Sequence, residues 1–188
     1  MKLTVKEMTY VSIFSALTAI GAFMRFNIFT VPFTMQLFFV MLAASLLGSK
    51  LGSLSQVIYI ILGLIGFPIF AKGGGPQYIL EYTFGYLIGF ALGAFITGKM
   101  IEKKIFNLPA YALHFVSMFT GLLVVYFSGV PYLWLIFNYV LNKKMAFVAA
   151  VKAGMLIFLP SDLFFISIAS FISIKIKNTL GKEFVTNG

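Results

Sequence analysis

The chain has 188 residues, of which 61% are hydrophobic and only 10% are charged, and its formal net charge is +9. A soluble domain is about one-quarter charged, so this composition and a mean hydropathy of +1.02 indicate an integral membrane protein. The lysines fall in short groups between apolar runs, which is typical of membrane topology rather than of nucleic-acid binding. The absence of cysteine excludes disulfides, thiolate zinc sites and a thiol nucleophile.

Six apolar runs approach the length of roughly 20 residues that a spanning helix needs. We therefore predict an all-α integral membrane fold, a six-transmembrane-helix bundle with external lid loops, in a single membrane domain of residues 1–188. Only Gly48-Ser49-Lys50 separates the second run from the third, which predicts a tight helical hairpin. Pro160 interrupts the sixth run and predicts a kink or break there. The predicted spans are 6–23, 33–47, 51–65, 83–100, 109–127 and 145–174.

Basic residues predict the orientation of these helices. With both termini in the cytoplasm, nine lysines lie on the cytoplasmic side and four basic residues lie outside, as the positive-inside rule favours. We therefore predict a multi-pass protein of the plasma membrane with cytoplasmic termini. The nine lysines are Lys2, Lys6, Lys50, Lys99, Lys103, Lys104, Lys175, Lys177 and Lys182, and the external residues are Arg25, Lys72, Lys143 and Lys144.

One loop, Gly66–Gln77, breaks the apolar pattern with the sequence GFPIFAKGGGPQ. Its glycines and prolines cannot continue a helix, and bare backbone at membrane depth is tolerated only where protein buries it or where it lines a cavity. The predicted orientation places this loop outside, together with the Arg25–Pro32 loop and the aromatic segment Val130–Asn142, which predicts an interfacial helix or a lid. We interpret Gly73–Gly75 as the hinge of a lid.

Asp162 is the acidic residue that points to a binding site. A carboxylate far from the ends of a span costs at least about 2.5–3.5 kcal/mol on insertion scales, so it should face a polar cavity or a partner. The break at Pro160 frees backbone groups around it, and transporters bind ligands at such breaks. Asp162 either accepts an N–H from a ligand, pairs with Lys152 or caps the broken helix. A straight helix would separate Lys152 from Asp162 by about 15 Å, which disfavours a direct pair and leaves Lys152 to snorkel outward or to meet a ligand carboxylate.

Polar and aromatic residues near the glycine loop could complete such a site. Gln77, Tyr82 and Tyr86 offer an amide and ring faces to a small heterocycle, and Gln36 could point its amide into the bundle. Glu81, at the start of the fourth span, is expected to complement the helix dipole.

Several kinds of chemistry are missing from the sequence. No histidine-rich or acidic cluster could hold a metal, and no P-loop motif is present for ATP hydrolysis. His114 is the one histidine; it has no visible catalytic partner and is interpreted as a hydrogen-bonded packing residue. We therefore predict that the chain is not an enzyme and needs no cofactor.

The first helix carries small residues four positions apart, Ser12 with Ala16 and Ser15 with Ala19. Small residues at this spacing let membrane helices approach closely. The face they form predicts either a docking surface for a partner subunit or packing within the chain.

Five motifs in order resemble the BioY family over nearly the whole chain. They are VPFTMQ (Val31–Gln36), LLGSKLG (Leu46–Gly52), YIILGLIGFPIFA (Tyr59–Ala71), TFGYLIGF (Thr83–Phe90) and FLPSDL (Phe158–Leu163). The resemblance implies a six-helix, biotin-binding substrate component of an energy-coupling factor (ECF) vitamin transporter. It also implies that Asp162 contacts biotin, that external loops cover the site, and that the small residues of the first helix meet the transmembrane coupling subunit.

Three residues depart from the family pattern. Phe165 stands three positions after the aspartate, where the family usually has a lysine; Ser161 replaces a glycine, and Tyr82 replaces a proline. The lost lysine would be expected to contact the ligand carboxylate. Either one of three other cations contacts the ligand carboxylate, or the substrate is not biotin itself. The three cations are Lys72, Lys152 and Arg25.

We predict that the chain binds biotin or a biotin-like vitamin with high affinity outside the cell, and that a coupling membrane subunit and two cytoplasmic ATPases drive its delivery inward. The alternatives are a substrate component for another biotin-related or lipoyl-like carboxylate, and a stand-alone vitamin facilitator. Phe70, Tyr78 and Tyr82 are expected to pack on the ring system. The predicted ligand-binding residues are Gln36, Lys72, Gly74, Gln77, Tyr82, Tyr86, Lys152 and Asp162.

Overall fold

Long helices make up most of the chain in the computed structural model, which describes residues 3–26, 31 and 33–180. The helices are α1 (Val5–Phe23), α2 (Gln36–Leu64), α3 (Phe84–Glu102), α4 (Ala110–Leu135), α5 (Phe147–Val151) and α6 (Leu159–Leu180).

Short elements connect these helices. Strand β1 (Arg25–Phe26) pairs antiparallel with β2 (Phe33–Thr34), and a 3-10 helix spans Pro76–Leu80. Single π-helical segments follow α4 at Ile136–Val140 and α5 at Lys152–Leu156. Most of the predicted Arg25–Pro32 loop, and the topology signals Lys2 and Lys182, lie outside the described residues.

Helix α2 folds back on itself at Gly48. That glycine has φ +81° and ψ −175°, a conformation that residues with a Cβ rarely adopt. The amide of Gln36 at the start of α2 donates to the hydroxyl of Tyr59, 23 positions later, at 2.8 Å, whereas a straight helix would separate them by about 35 Å. The hairpin predicted at Gly48-Ser49-Lys50 is therefore present: the chain reverses direction at Gly48, between the two helical arms of α2.

The predicted count of six spanning helices is not confirmed. Within the described residues, four helices are long and apolar enough to cross a membrane: Gln36–Leu64, Phe84–Glu102, Ala110–Val140 and Phe147–Thr179. Two of the predicted short runs join in α2, and α1 is less apolar because Lys6 and Glu7 lie in its first turn. Glu7 also forms a capping box with Thr4, whose hydroxyl accepts the Glu7 N–H at 3.2 Å.

The prediction that the fifth span ends near Phe127 was wrong. Helix α4 continues past Pro131 to Leu135, and π-helical turns extend it to Val140, so Val130–Asn142 is not a separate interfacial helix. This end of α4 is held by the loop before α3: the hydroxyl of Tyr132 donates to the carbonyl of Ile79.

The break predicted at Pro160 is confirmed and lies just before that residue. The π-helical segment ends at Leu156, and α6 begins at Leu159. Pro160 therefore sits in the first turn of α6, where its missing N–H leaves no intrahelical bond unmade.

Glycines on one face of α3 bring it close to α4. A Cβ on Gly89 would lie 2.8 Å from Cα of Val125, and one on Gly93 would lie 2.7 Å from the carbonyl oxygen of Gly121. Such small-residue contacts are the usual means of close helix packing in membranes, and they bring Tyr86 of α3 over α4.

The start of α1 and the end of α6 lie at the same end of the bundle. Leu3 and Ile176 both pack against a buried cluster that includes Leu46, Leu47 and Leu51, next to the Gly48 fold. The opposite end carries β1, β2 and the glycine loop.

Candidate ligand-binding site

A cavity of about 80 Å³ lies among α2, α3, α4 and α6, with residues of β2 and of the loop before α3 in its wall. This volume is several times the roughly 10–15 Å³ that one water needs. Its polar lining is Thr34, Gln36, Tyr78, Thr83, Tyr86, Tyr126 and Asp162; its apolar lining includes Val31, Phe33, Leu37, Leu87, Phe90, Leu122, Val125 and Phe158.

Asp162 is the one charged side chain among the described residues that line this cavity. It is 8% exposed, and the hydroxyl of Tyr126 donates a hydrogen bond to its Oδ2. Asp162 also lies in the first turn of α6, where the helix dipole favours negative charge. These two effects offset part of the cost of burying a carboxylate.

The helix break places a second polar group at the cavity. Because the chain turns at Ile157 and Phe158, the N–H of Phe158 bonds to the carbonyl of Met155 at 3.0 Å instead of to that of Gly154. The carbonyl of Gly154 accepts the hydroxyl of Tyr86 at 2.8 Å. Tyr86 therefore compensates a backbone group that the break would otherwise leave unpaired.

Gln36 forms a third polar wall and is fixed by its own partners. Its Nε2 donates to the Tyr59 hydroxyl at 2.8 Å, and its Oε1 accepts the Thr34 hydroxyl at 3.1 Å. The Tyr59 hydroxyl in turn donates to the carbonyl of Ile69 at 3.0 Å. This network ties the start of α2 to the glycine loop, and it brings the amide of Gln36 to the cavity as the sequence predicted.

Stacked phenylalanines form the apolar wall near Asp162. Phe33 of β2 lies parallel to Phe158, with ring centroids 6.3 Å apart, and contacts Phe165 at 5.8 Å. Phe165 also meets Phe38 of α2 at 6.3 Å. The position at which a lysine was expected therefore belongs to an aromatic cluster, and it supplies no charge.

The glycine loop is held against the end of α2. The N–H of Gly75 donates to the carbonyl of Gly63 at 2.7 Å, and Phe70 and Gly73 exchange two backbone hydrogen bonds. Gly74 lies so close to Phe67 that a Cβ there would overlap the Phe67 carbonyl. Ala71 and Tyr78 of this region line the cavity, so the loop contributes part of the wall.

Lys72 lies in this loop but does not line the cavity. Its Nζ is 3.1 Å from Glu81 Oε2 and 2.5 Å from the Tyr82 hydroxyl, and it lies 3.8 Å from the centre of the Tyr82 ring. Burial lowers the pKa of Lys72, but the hydrogen bonds to Tyr82 and Glu81 outweigh that effect and leave the pKa above its ordinary value of 10.5. Glu81, expected to complement a helix dipole, instead pairs with Lys72.

The other predicted ligand residues lie outside the cavity lining. Gln77 is exposed and donates to the carbonyl of Gly74 at 2.7 Å. Tyr82 packs on Phe137 with centroids 5.2 Å apart. Lys152 is exposed at the start of the π-helical segment. Of the eight predicted residues, the cavity brings together Gln36, Tyr86 and Asp162.

The small residues of α1 divide between two faces. Ser12 and Ala16 are exposed, whereas Ser15 is 4% exposed and its hydroxyl donates to the carbonyl of Ser55 at 2.6 Å. Ala19 is half-buried and packs on the main core. Ser15 and Ala19 therefore serve packing within the chain.

Sequence reasoning missed Tyr126, the direct partner of Asp162. A tyrosine inside an apolar span needs a partner for its hydroxyl, but the predicted fifth span ended at Phe127, which placed Tyr126 at a membrane interface, where tyrosine is common. The 36 positions between the two residues gave no indication that they meet.

Apolar helices that enclose a small, mostly apolar cavity with one buried carboxylate define a multi-pass membrane protein. The chain belongs to the BioY family, whose model matches residues 1–182.

Two named relatives cover most of this chain. The "Probable biotin transporter BioY" of Lysinibacillus sphaericus is 42% identical over 164 residues, which cover 87% of this chain and 82% of that protein. The "Biotin transporter BioY" of Thermotoga maritima is 36% identical over 174 residues, 92% of this chain and 96% of that protein.

A solved structure shares the fold. The crystal structure of the S-component for biotin from an ECF-type ABC transporter superposes with a TM-score of 0.79 over 94% of this chain and 95% of that one. The sequence identity between the two is 24%, so the comparison supports the arrangement of the helices.

Proposed function

We propose that this chain is the substrate-binding component of an ECF-type transporter and that it binds biotin in the cavity around Asp162. Its family, the names of its relatives and the fold of the biotin S-component support this function. The observation that carries the proposal is a buried carboxylate in an otherwise uncharged cavity, within the residues described. Biotin's fused ureido ring carries two N–H donors and one carbonyl acceptor, and it matches a wall of this kind.

In this proposal Asp162 accepts an N–H of the ureido ring. Its Oδ2 already accepts the Tyr126 hydroxyl, so the ligand N–H binds at Oδ1. The Gln36 amide and the Tyr86 hydroxyl lie at the same cavity and approach the ligand's polar atoms. Phe33 and Phe158 supply apolar surface for the sulfur-containing ring.

No lysine or arginine lines the cavity among the described residues. A cation that binds the ligand's carboxylate must therefore come from outside that lining. Lys72 and Lys152 lie within two positions of the lining residues Ala71 and Gly154, and Arg25 pairs with Thr34 across the hairpin. We propose Lys72 as the partner, because it lies on the loop that forms the wall. Another biotin-related or lipoyl-like carboxylate is the alternative ligand, because Phe165 stands where a lysine was expected to contact the carboxylate of biotin.

Ligand entry requires the cavity to widen. Clefts that bind small molecules typically measure about 300–1,000 Å³, well above the 80 Å³ of this cavity. The glycine loop is the wall that we propose to move, with Gly73–Gly75 as its hinge. Gly73 and Gly75 have φ of +116° and +105°, a conformation that is strained for a residue with a Cβ, so substitution there would destabilise this form of the loop.

We propose that the two arms of α2 each cross the membrane, and that α1 crosses as well, giving six crossings in one domain of residues 1–188. Both termini are assigned to the cytoplasm of a plasma-membrane protein. The meeting of Leu3 and Ile176 at one end of the bundle supports a common side, and the lysine distribution supports the cytoplasmic one.

The partners in this proposal are a transmembrane coupling subunit and two cytoplasmic ATPases, and the ATPases hydrolyse the ATP that drives transport. Ser12 and Ala16 form the exposed small-residue part of α1 and are the proposed contact for the coupling subunit. Exposed apolar neighbours, Ile13 at 47% and Ile20 at 50% exposed, extend that face.

The test is a titration of biotin into the purified chain, with Asp162→Asn measured beside it. We expect the variant to bind about 10- to 150-fold more weakly, since a hydrogen bond to a charged group contributes about 1.5–3 kcal/mol. Biotin, desthiobiotin and lipoate are compared at equal concentration. Tight binding of lipoate but not of biotin would replace the biotin assignment with the lipoyl-like alternative.

A vesicle experiment separates the transporter component from a stand-alone facilitator. The chain alone, without a partner or ATP, should bind biotin at the membrane but accumulate little inside. Rapid uptake by the chain alone would identify the facilitator.

A further inference from the structure

The ligand-binding cavity offers many hydrogen-bond acceptors and few hydrogens. Five hydroxyl side chains line it among the described residues, and three of them already donate within the protein. The hydroxyl of Tyr86 donates to the carbonyl of Gly154 at 2.8 Å. That of Thr34 donates to Oε1 of Gln36 at 3.1 Å, and that of Tyr126 donates to the carboxylate of the cavity. Toward a ligand, these three oxygens act as acceptors.

The other polar groups of the lining retain two hydrogens between them. The hydroxyl oxygens of Tyr78 and Thr83 lie 3.3 Å apart, so one hydrogen serves that contact and one is left. The Tyr59 hydroxyl donates to the carbonyl of Ile69 and therefore accepts from Nε2 of Gln36, which fixes the orientation of the amide and leaves Nε2 one hydrogen. The cavity therefore presents more acceptors than donors.

Asp162 adds the strongest acceptor of the site. Tyr126 donates to its Oδ2, and no described residue donates to its Oδ1. Oδ1 is not one of the unpaired polar atoms that the protein encloses completely, so it is open to the cavity. No lysine, arginine or histidine belongs to the described lining. A carboxylate buried without a cation is costly, and a ligand that carries positive charge in its head group would reduce that cost.

We propose that this cavity selects a head group with at least two N–H donors, and that it binds a cyclic guanidinium more tightly than a neutral cyclic urea. The inference rests on the proposed function of the same site and defines its ligand class. A cyclic guanidinium has the shape of the ureido ring, but an NH₂ donor replaces the carbonyl acceptor. Guanidines stay protonated at neutral pH, as the arginine side chain does.

The two head groups differ in how they use the same wall. The ureido ring gives two N–H donors to the acceptors, and its carbonyl must take one of the two free hydrogens. The guanidinium gives every N–H to an acceptor and places its charge beside Asp162. Hydrogen bonds between ionised partners are about twice as strong as neutral ones, and a guanidinium is weakly hydrated, so less hydration is lost when it enters the cavity.

The same inventory of donors and acceptors disfavours a lipoyl-like ligand. The dithiolane ring of lipoate has no N–H, so it would leave Oδ1 of Asp162 unpaired in a cavity closed to water. A buried polar group left without a partner is destabilising. Lipoate should therefore bind at least about 100-fold more weakly than biotin.

The experiment compares 2-iminobiotin, the cyclic guanidine, with biotin and lipoate by titration into the purified full chain at pH 7. 2-Iminobiotin and biotin share one tail carboxylate, so their comparison does not depend on which cation binds the tail. We expect 2-iminobiotin to bind about tenfold more tightly than biotin. Equal or weaker binding of 2-iminobiotin would overturn the inference, as would lipoate binding as tightly as biotin.

Matched variants assign the preference to the carboxylate. In Asp162→Asn the guanidinium meets no opposite charge, so the order should reverse, with 2-iminobiotin at least about tenfold weaker than biotin. Glu81→Gln removes a carboxylate that pairs with Lys72 outside the lining; it should leave the ratio of the two affinities unchanged. A preference that survives in Asp162→Asn, or that disappears in Glu81→Gln, would contradict the role of Asp162.

The outcomes also separate this inference from the proposed function. Tight binding of biotin with weaker binding of 2-iminobiotin would leave the biotin function in place and refute the preference for a cation. Tight binding of 2-iminobiotin without binding of biotin would support the donor-rich ligand class and refute biotin as the substrate. Failure of both to bind would refute both proposals.

Discussion

The hydroxyl of Tyr126 on α4 donates a hydrogen bond to Oδ2 of Asp162 on α6. This contact joins two helices in the wall of the cavity and engages one of the two carboxylate oxygens. A buried carboxylate held in one orientation is a more selective acceptor than a mobile one, because the ligand does not have to order it on binding.

Tyr126→Phe should therefore weaken biotin binding about tenfold, and Asp162→Asn should weaken it more. The tyrosine acts through the carboxylate, so the double variant should bind no more weakly than Asp162→Asn alone. Isothermal titration of the four proteins measures this coupling, which for contacting residues is about 0.5–3 kcal/mol.

Independent losses in the double variant would contradict this account. They would mean that Tyr126 contacts the ligand directly, without orienting the carboxylate.

Tyr86→Phe should reduce the stability of the bundle, because it leaves the Gly154 carbonyl without its donor. A buried group left unpaired costs about 1–3 kcal/mol, and the loss should appear as a lower thermal midpoint in detergent. Tyr139→Phe is the control, since Tyr139 is 71% exposed and should change the midpoint little. An unchanged midpoint in Tyr86→Phe would show that water or a neighbour satisfies Gly154.

The Lys72→Gln variant tests whether Lys72 binds the ligand's carboxylate or only holds the glycine loop in place through Glu81 and Tyr82. If Lys72 binds the ligand carboxylate, the variant should bind biotin several-fold more weakly and bind biotin amide as the native chain does. Titration of both ligands into both proteins gives the answer. Equal losses for biotin and biotin amide would instead assign Lys72 to holding the loop through Glu81 and Tyr82.

The tether formed by Lys72 should also depend on pH. The pKa of Lys72 is raised in the folded protein: burial acts to lower it, and the hydrogen bonds to Tyr82 and Glu81 overcome that effect. A raised pKa means that the stabilisation is fully present below the unfolded value of 10.5 and is lost as the pH rises through the folded value.

A spin label at Leu80→Cys can follow this transition, because the chain has no other cysteine. The label should be immobile at pH 9 and become mobile above about pH 10.5. Glu81→Gln should shift the onset to lower pH; an onset that does not move would exclude the ion pair as the tether.

The sequence predicted those features that depend on local chemistry. Gly48 marked the fold of α2, Pro160 marked the helix break, and Asp162 marked the cavity, since each is a residue that an uninterrupted apolar helix does not accommodate. These signals needed no knowledge of distant contacts.

Features that depend on distant contacts were missed. The sequence could not pair Tyr126 with Asp162 or reveal that Lys72 is engaged by Glu81 and Tyr82, because those partners meet only after the helices pack. The count of six spans is not confirmed, for a related reason: short apolar runs do not show where one folded helix ends and another begins, nor that Lys6 and Glu7 reduce the apolarity of α1.

The two faces of α1 give a prediction that distinguishes docking from packing. Ser12→Leu with Ala16→Leu adds bulk to the exposed face, so uptake with the coupling subunit should fall at least about tenfold while biotin binding by the isolated chain persists. Ser15→Leu on the buried face is the matched control. It should instead destabilise the chain by about 1–3 kcal/mol through overpacking against α2. Measured together, binding, uptake and thermal midpoint should separate the two variants, and a loss of binding in Ser12→Leu/Ala16→Leu would show that this face also packs within the bundle.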